Sequence, residues 1–300
     1  MQLHNFNSGP SILPKEVMDE AAAAIHDFNG TGLSILEIGH RTTHFVAVVE
    51  EAKQIVKRLM NIGDDYEVLF LQGGATMQFM QVPMNLLDEN GLAAICDNGV
   101  WGHKAVKEAQ IFGPVKVVSD TNADKHTHIN KALELPANTS YLHITTNNTV
   151  EGTQWHSYPQ LGVPLVGDMS SDIFCRPTPF HQFDLIYAGA QKNIGPAGVT
   201  IVIVREDLLG KARALWRSNR VMIIAMAVRS RPFQPAASRV RKDSTPRRIS
   251  SGWRAMVSSG RSCSGSDSAA AAACSVSGSA KASSRQSVRG CWIRRRQSSG

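Results

Sequence analysis

No two of the five cysteines, Cys96, Cys175, Cys263, Cys274 and Cys291, form a Cys-x-x-Cys pair, and their number is odd. A disulfide framework is therefore not expected. Cys96 and Cys175 sit in or near apolar, strand-like segments and are expected to be buried, reduced thiols of a cytoplasmic protein. Cysteine and histidine do not cluster at metal-ligand spacing, so no metal site is expected. Long uninterrupted apolar runs are missing, which argues against a membrane span. Met1-Gln2-Leu3-His4-Asn5-Phe6 lacks the charged and then apolar regions of a signal peptide. Neither a Gly-x-x-x-x-Gly-Lys phosphate loop nor a Gly-x-Ser-x-Gly elbow occurs.

Acidic residues are missing from one end of the chain. Residues 1–210 carry 13 Lys+Arg and 23 Asp+Glu, a net charge of −10. Residues 211–300 carry 19 Lys+Arg against Asp243 and Asp267 alone, a net +17, so the overall +7 belongs to the last third. The first part has the balance of a soluble, mildly acidic enzyme and no electrostatic footprint for nucleic acid.

Periodic text fills the first part. Lys15 to about Phe28 is predicted helical, with Pro14 at the first helical position and Asn29-Gly30 as the stop. A second helix, capped by Thr42 or Thr43, places Phe45, Val48, Val49, Ala52, Ile55, Val56 and Leu59 on one side. From Val68 the pattern alternates. Val68–Leu71, Leu92–Cys96, Val115–Val118, Tyr141–Thr145 and the runs ending at Asp168 and Tyr187 read as strands. Helices are predicted from Gly73 to about Leu87 and from Trp101 to about Ile111. Short apolar runs alternating with helices predict an α/β fold with a mostly parallel sheet covered on both faces, and such sheets bind ligands at the carboxyl ends of their strands.

Two of those strands end on chemistry. Leu165-Val166-Gly167-Asp168 finishes on a carboxylate, and Leu185–Gly189 leads through Ala190-Gln191 to Lys192 and a Gly-Pro-Ala-Gly turn. Most lysines are solvated surface residues. An amine nucleophile and a buried-strand aspartate on successive strands are, however, what pyridoxal phosphate requires: the lysine holds the cofactor covalently and the aspartate keeps its ring nitrogen protonated.

Other positions carry two readings each. Gly73-Gly74-Ala75-Thr76 is either an anion cradle at a helix N-terminus or turn geometry alone. Trp101 is a stacking ring or a core filler. Thr149 is a turn hydroxyl or a donor to a ligand oxygen. Arg41, beside His40, is a solvated loop residue or a bidentate grip on a carboxylate or phosphate.

In combination, these stretches resemble the phosphoserine aminotransferase family of fold-type I, pyridoxal-phosphate-dependent enzymes, from about Asn5 to about Leu215. The resemblance rests on Phe6-Asn7-Ser8-Gly9-Pro10, Asp27–Gly32, Gly39-His40-Arg41, Leu69–Ala75, Val82–Leu86, Asn147-Asn148-Thr149, Asp168–Asp172 and Tyr187–Asn193. It implies Lys192 as the Schiff-base lysine and Asp168 as the partner of the pyridine nitrogen. Trp101 is implied as the stacking ring and Thr149 as a contact near the phenolic oxygen. Ala75, Thr76 and Gln191 are implied at the cofactor phosphate, Ser8 and Arg41 at the substrate carboxylate, and His40 near the substrate phosphate. The implied reaction moves an amino group from L-glutamate to 3-phosphohydroxypyruvate in a cytoplasmic homodimer. A phosphorylated hydroxythreonine substrate on the route to pyridoxine is implied as well.

The chain departs from this pattern beyond about Trp216. The family's Asn-Thr-Pro-Pro segment and its small C-terminal domain have no counterpart in 217–300, which is rich in Arg, Ser and Ala. Two domains of unequal character are expected: a cofactor-binding large domain over 1–216 and a disordered basic tail over 217–300. Phe233, Trp253 and Trp292 are too few for a stacking groove, so the tail predicts nonspecific nucleic-acid contact at most. Competing readings are an inactive truncated homologue and another small-substrate aminotransferase of the same class. The tail's composition fits a GC-rich gene read out of frame. Resequencing the locus is expected to find a frameshift near codons 213–220, and an uninterrupted frame through the tail sinks that explanation.

Overall fold

The computed structural model describes residues 4–210; the boundary expected at 216 and the tail 217–300 lie outside the described residues. Helix α1 (Lys15–His26) begins after Pro14, which serves as its N-cap rather than its first residue, and it ends two residues before the predicted Phe28. Helix α2 (Thr43–Met60) is capped by the Thr42 hydroxyl, which accepts from the Phe45 amide at 3.4 Å. Asn61 ends it in the left-handed conformation that asparagine tolerates.

The alternation then runs β1 (Tyr66–Leu71), α3 (Gly74–Leu86), β2 (Leu92–Asp97), α4 (Val100–Ala109), β3 (Val115–Asp120) and β4 (Thr139–Thr145). A two-stranded hairpin, β5 (Asn147–Asn148) and β6 (Thr153–Gln154), precedes β7 (Leu165–Asp168), β8 (Leu185–Gly189) and β9 (Thr200–Arg205). Seven strands form one sheet in the order β1-β9-β8-β7-β4-β2-β3. Neighbours are parallel from β8 through β7, β4 and β2 to β3, while β9 is antiparallel to both β8 and β1. The expected mostly parallel sheet is therefore present, with one reversed strand inserted between β1 and β8.

Period-two alternation sends successive side chains to opposite faces. One face carries Val68, Ala94, Leu142, Ile144, Ile186, Ala188, Ile201 and Ile203 and gathers Val56 and Met60 of α2. The other carries Leu69, Ala93, Ile95, Tyr141, Val166, Leu185, Tyr187, Val202 and Val204 beneath Phe79 and Val82 of α3 and Ala105 and Val106 of α4. Both faces are covered, which is why the strands read as continuous apolar runs. The edge strand β1 is the exception, since Phe70 is exposed. Cys96 is buried, and burial pushes its thiol up to about 12, so it is chemically quiet. Cys175 corrects the sequence expectation: it sits in the turn region after β7 and is exposed.

Helix α4 lies close on the end of β2 because Gly102 has no side chain. A Cβ at that position would stand 2.6 Å from the Cys96 carbonyl oxygen, a backbone atom that cannot yield cheaply. Gly102→Ala is expected to destabilise the fold by about 1–3 kcal/mol, the usual range for overpacking. Urea unfolding of the full chain measures it, and an unchanged midpoint refutes the close-packing argument.

Candidate active site

Five parallel strands and the edge strand β1 deliver their carboxyl ends to one rim of the sheet, where the following loops converge. Asp168 is the last residue of β7 and is buried. Its Oδ1 accepts from the Ser170 amide at 2.9 Å, and the nearby Tyr187 hydroxyl favours the charged carboxylate. Asp168 pairs with Tyr187 across β7 and β8, and the Tyr187 hydroxyl lies 2.8 Å from His143 Nε2 of β4. No cation pairs with Asp168 among the described residues, and burial raises its carboxyl from 3.8 to about 6.

Lys192 lies three residues beyond β8 and is half-buried. The N-terminal segment lies against it: a Cβ on Gly9 would meet Lys192 Cδ at 2.9 Å and Nζ at 3.3 Å. Ser11 fastens that contact, its amide donating to the Gln191 carbonyl at 2.8 Å and its hydroxyl to the Lys192 carbonyl. Among the described residues no carboxylate forms an ion pair with the Lys192 amine.

Helix α3 opens with Gly73 at φ 100° and Gly74 at φ 67°, conformations that glycine adopts without strain. No side chain caps the helix, so its first amides face the rim beside half-buried Ala75 and exposed Thr76. Gln191 folds back over Gly189, with Oε1 2.8 Å from the place of a Cβ there. At the end of β2, Trp101 is half-buried in the first turn of α4 and packs against the α3–α4 side of the core. Its Nε1 donates to the Thr149 hydroxyl at 3.4 Å, a long hydrogen bond that nonetheless brings the two together. Glu151 Oε1 accepts from the Val100 amide at 2.8 Å, so the β5–β6 turn holds the start of α4 from two points.

Ser8, His40 and Arg41 are exposed. Arg41 Nε donates to His40 Nε2 at 3.3 Å, and among the described residues no hydrogen bond or ion pair joins either of them to Asp168 or Lys192. The rim thus gathers the candidate cofactor residues, and the candidate substrate residues stand apart from it in the hydrogen-bond pattern.

The class-V aminotransferase family model matches residues 3–246. The chain belongs to the class-V aminotransferase family. A phosphoserine aminotransferase of Flavobacterium psychrophilum is 52% identical over 212 residues, 70% of this chain and 60% of that protein. The solved phosphoserine aminotransferase of Bacillus circulans subsp. alkalophilus is 46% identical with a TM-score of 0.67, covering 70% of this chain and 59% of that one. Another solved phosphoserine aminotransferase, studied for radiation damage of its Schiff base, is 41% identical with a TM-score of 0.69, over 74% of this chain and 65% of its own. The chain thus spans about 60% of the length of the curated relatives it matches.

Two residues of this aminotransferase rim escaped the sequence reading, Tyr187 and His143. A histidine inside the apolar run Tyr141–Thr145 was the available signal. Asp168 also sets a pH dependence whose sign is fixed. The unfolded carboxyl titrates near 3.8 and the folded one near 6, so between these values the folded chain holds a proton that the unfolded chain has released. Stability falls as pH rises through that window, and above it the buried charge costs about 3 kcal/mol. Asp168→Asn is expected to be more stable than the parent by about 2–3 kcal/mol near pH 8, an advantage gone by about pH 4. Urea titrations of the cofactor-free protein at the two pH values test it, and an equal gain at both contradicts the ionisation argument.

Proposed function

We propose that this chain is a phosphoserine aminotransferase that uses pyridoxal 5'-phosphate to move the amino group of L-glutamate to 3-phosphohydroxypyruvate, releasing O-phospho-L-serine and 2-oxoglutarate. The observation that carries the proposal is the placement of a buried, cation-free carboxylate, Asp168, one strand away from a half-buried lysine without an acidic partner. The identity to phosphoserine aminotransferases supports the substrate assignment.

The residues fit the cofactor. Asp168 needs a cationic donor to offset its burial, and a protonated ring nitrogen is one. The uncapped amides at the start of α3, with Ala75, Thr76 and Gln191, suit a phosphate. Trp101 offers a planar ring, held by Thr149 and by Glu151 at the helix start. A bound pyridoxal phosphate supplies an electron sink for charge developing at the substrate Cα. Asp168 accepts the ring N–H and keeps that positive charge in place. The Lys192 amine, once free, would take the proton from Cα and return it, as a general base and then acid. Arg41 and Ser8 grip the substrate carboxylate, and His40 donates toward the substrate phosphate. The proposal extends to a cytoplasmic homodimer serving serine and pyridoxine biosynthesis.

The visible absorption spectrum of the purified chain mixed with pyridoxal phosphate tests the central assignment. A band characteristic of lysine-bound cofactor is expected and is expected to vanish in Lys192→Ala; persistence in that variant removes Lys192 from its role. Glutamate-dependent turnover is expected to be at least about a hundredfold faster with 3-phosphohydroxypyruvate than with glyoxylate or pyruvate, since the latter two leave the phosphate donors unpaired. Equal rates point to a different aminotransferase.

A further inference from the structure

Tyr187 and His143 have no role in the function proposed above, yet both are buried at the rim, with 0% and 3% exposure. In the parallel register His143 pairs with Val166, Thr145 with Asp168, and Asp168 with Tyr187. His143, Asp168 and Tyr187 therefore stand on one face of three adjacent strands. The Tyr187 hydroxyl lies 2.8 Å from His143 Nε2, and Tyr187 is the register partner of Asp168, where its hydroxyl favours the ionised carboxylate. The direction of these bonds follows from chemistry. An ionised carboxylate only accepts, so the tyrosine proton belongs to the bond with Asp168. The tyrosine oxygen then accepts, and His143 has to present Nε2–H. Its other nitrogen, Nδ1, is left bare, and Nδ1 is the ring atom that finds no partner.

We propose that Tyr187 and His143 are positioning residues that hold Asp168 ionised for the cofactor's ring nitrogen, His143 Nε2–H donating to Tyr187 and Tyr187 O–H donating to the carboxylate. The proposal rests on the pyridoxal phosphate reading of the site. Ser170 shares this task from the carboxylate's own loop, its amide donating to Asp168 Oδ1 at 2.9 Å. Asp172, in the turn after β7, opposes ionisation of Asp168 by like charge, and Tyr141 of β4 is pushed up by burial and stays neutral. Phe79 of α3 meets Tyr187 edge-on at 6.2 Å between ring centres and carries no charge. His143 is fitted to a neutral donor's role, because complete burial lowers it to about 4.

The test is pyridoxal phosphate affinity of the full chain, read by the visible band, across pH. Tyr187→Phe is expected to weaken binding about tenfold or more and to raise the pH at which binding is lost on acidification, as removal of a hydrogen bond to a charged group predicts. His143→Leu is expected to behave alike, whereas His143→Gln, which keeps an N–H near the Nε2 position, is expected to stay within about threefold of the parent. A parent that binds with the band, and Tyr187→Phe and His143→Leu variants that bind as well with an unshifted pH profile, overturn this proposal and leave the aminotransferase reading standing. A parent without the band overturns that reading instead. Nitrogen NMR of the histidine-labelled full chain then decides the hydrogen-bond chain alone, and also serves if a variant fails to fold. His143 is expected to be neutral with its proton on Nε2 down to about pH 5; a proton on Nδ1 overturns the proposal.

Discussion

A carboxylate held out of water without a cation is the constraint around which this structure is arranged. Asp168 sits at the end of a central strand, and the register surrounds it with groups that favour its charge: the Ser170 amide in its own loop and the hydroxyl of Tyr187, its register partner on the next strand. Those donors recover part of the desolvation cost and leave the remainder as a standing demand for positive charge. Such a demand is tolerable only in a rigid frame, because a mobile carboxylate would reach water and lose its elevated affinity for a proton. The frame is supplied by Val166, Leu185 and Tyr187, each essentially buried under α3 and α4.

Rigidity at one end of the sheet has a sequence cost that explains other features. Helix α4 starts next to the rim with Trp101 in its first turn, which requires the close approach at Gly102. The same helix start is held from the side by the β5–β6 turn, through Glu151 to the Val100 amide and Thr149 to the Trp101 ring nitrogen. Four residues that look unrelated in the sequence thus serve one placement. Substituting Gly102, Thr149 or Glu151 acts first on the placement of the Trp101 ring.

The strands and helices were legible because burial on both sheet faces writes uninterrupted apolar text, and the Asp168 and Lys192 positions were legible because polar residues end that text. What could not be read has physical reasons. An apolar run carries no direction, so the reversal of β9 between β1 and β8 leaves no mark in Thr200–Arg205. Ser11 reaches the Lys192 carbonyl across 181 residues of chain and Gly9 lies against the same lysine, contacts made by topology rather than by local pattern. His143 reads as a core histidine in its strand and gains meaning only when Tyr187 is seen to bridge it to Asp168. Cys175 looked like a core thiol from its apolar neighbours, but the turn after β7 faces it to solvent.

The residues assigned to cofactor and to substrate differ in kind as well as in place. Asp168, Trp101 and the start of α3 lie on a strand end or helix first turns, where backbone hydrogen bonds fix them, and Lys192 lies in the turn three residues beyond β8. Ser8, His40 and Arg41 are exposed and lie on segments without regular structure. A group that must be retained through many turnovers, with its ring electronics held constant, gains from being built into the sheet rim. A substrate that must enter and leave on each turnover gains from loop residues that can reorganise around it. The division between rim and loops matches what each proposed ligand would have to do, and under the proposed function substrate discrimination would fall to the N-terminal loops and electronic control to the His143–Tyr187–Asp168 line.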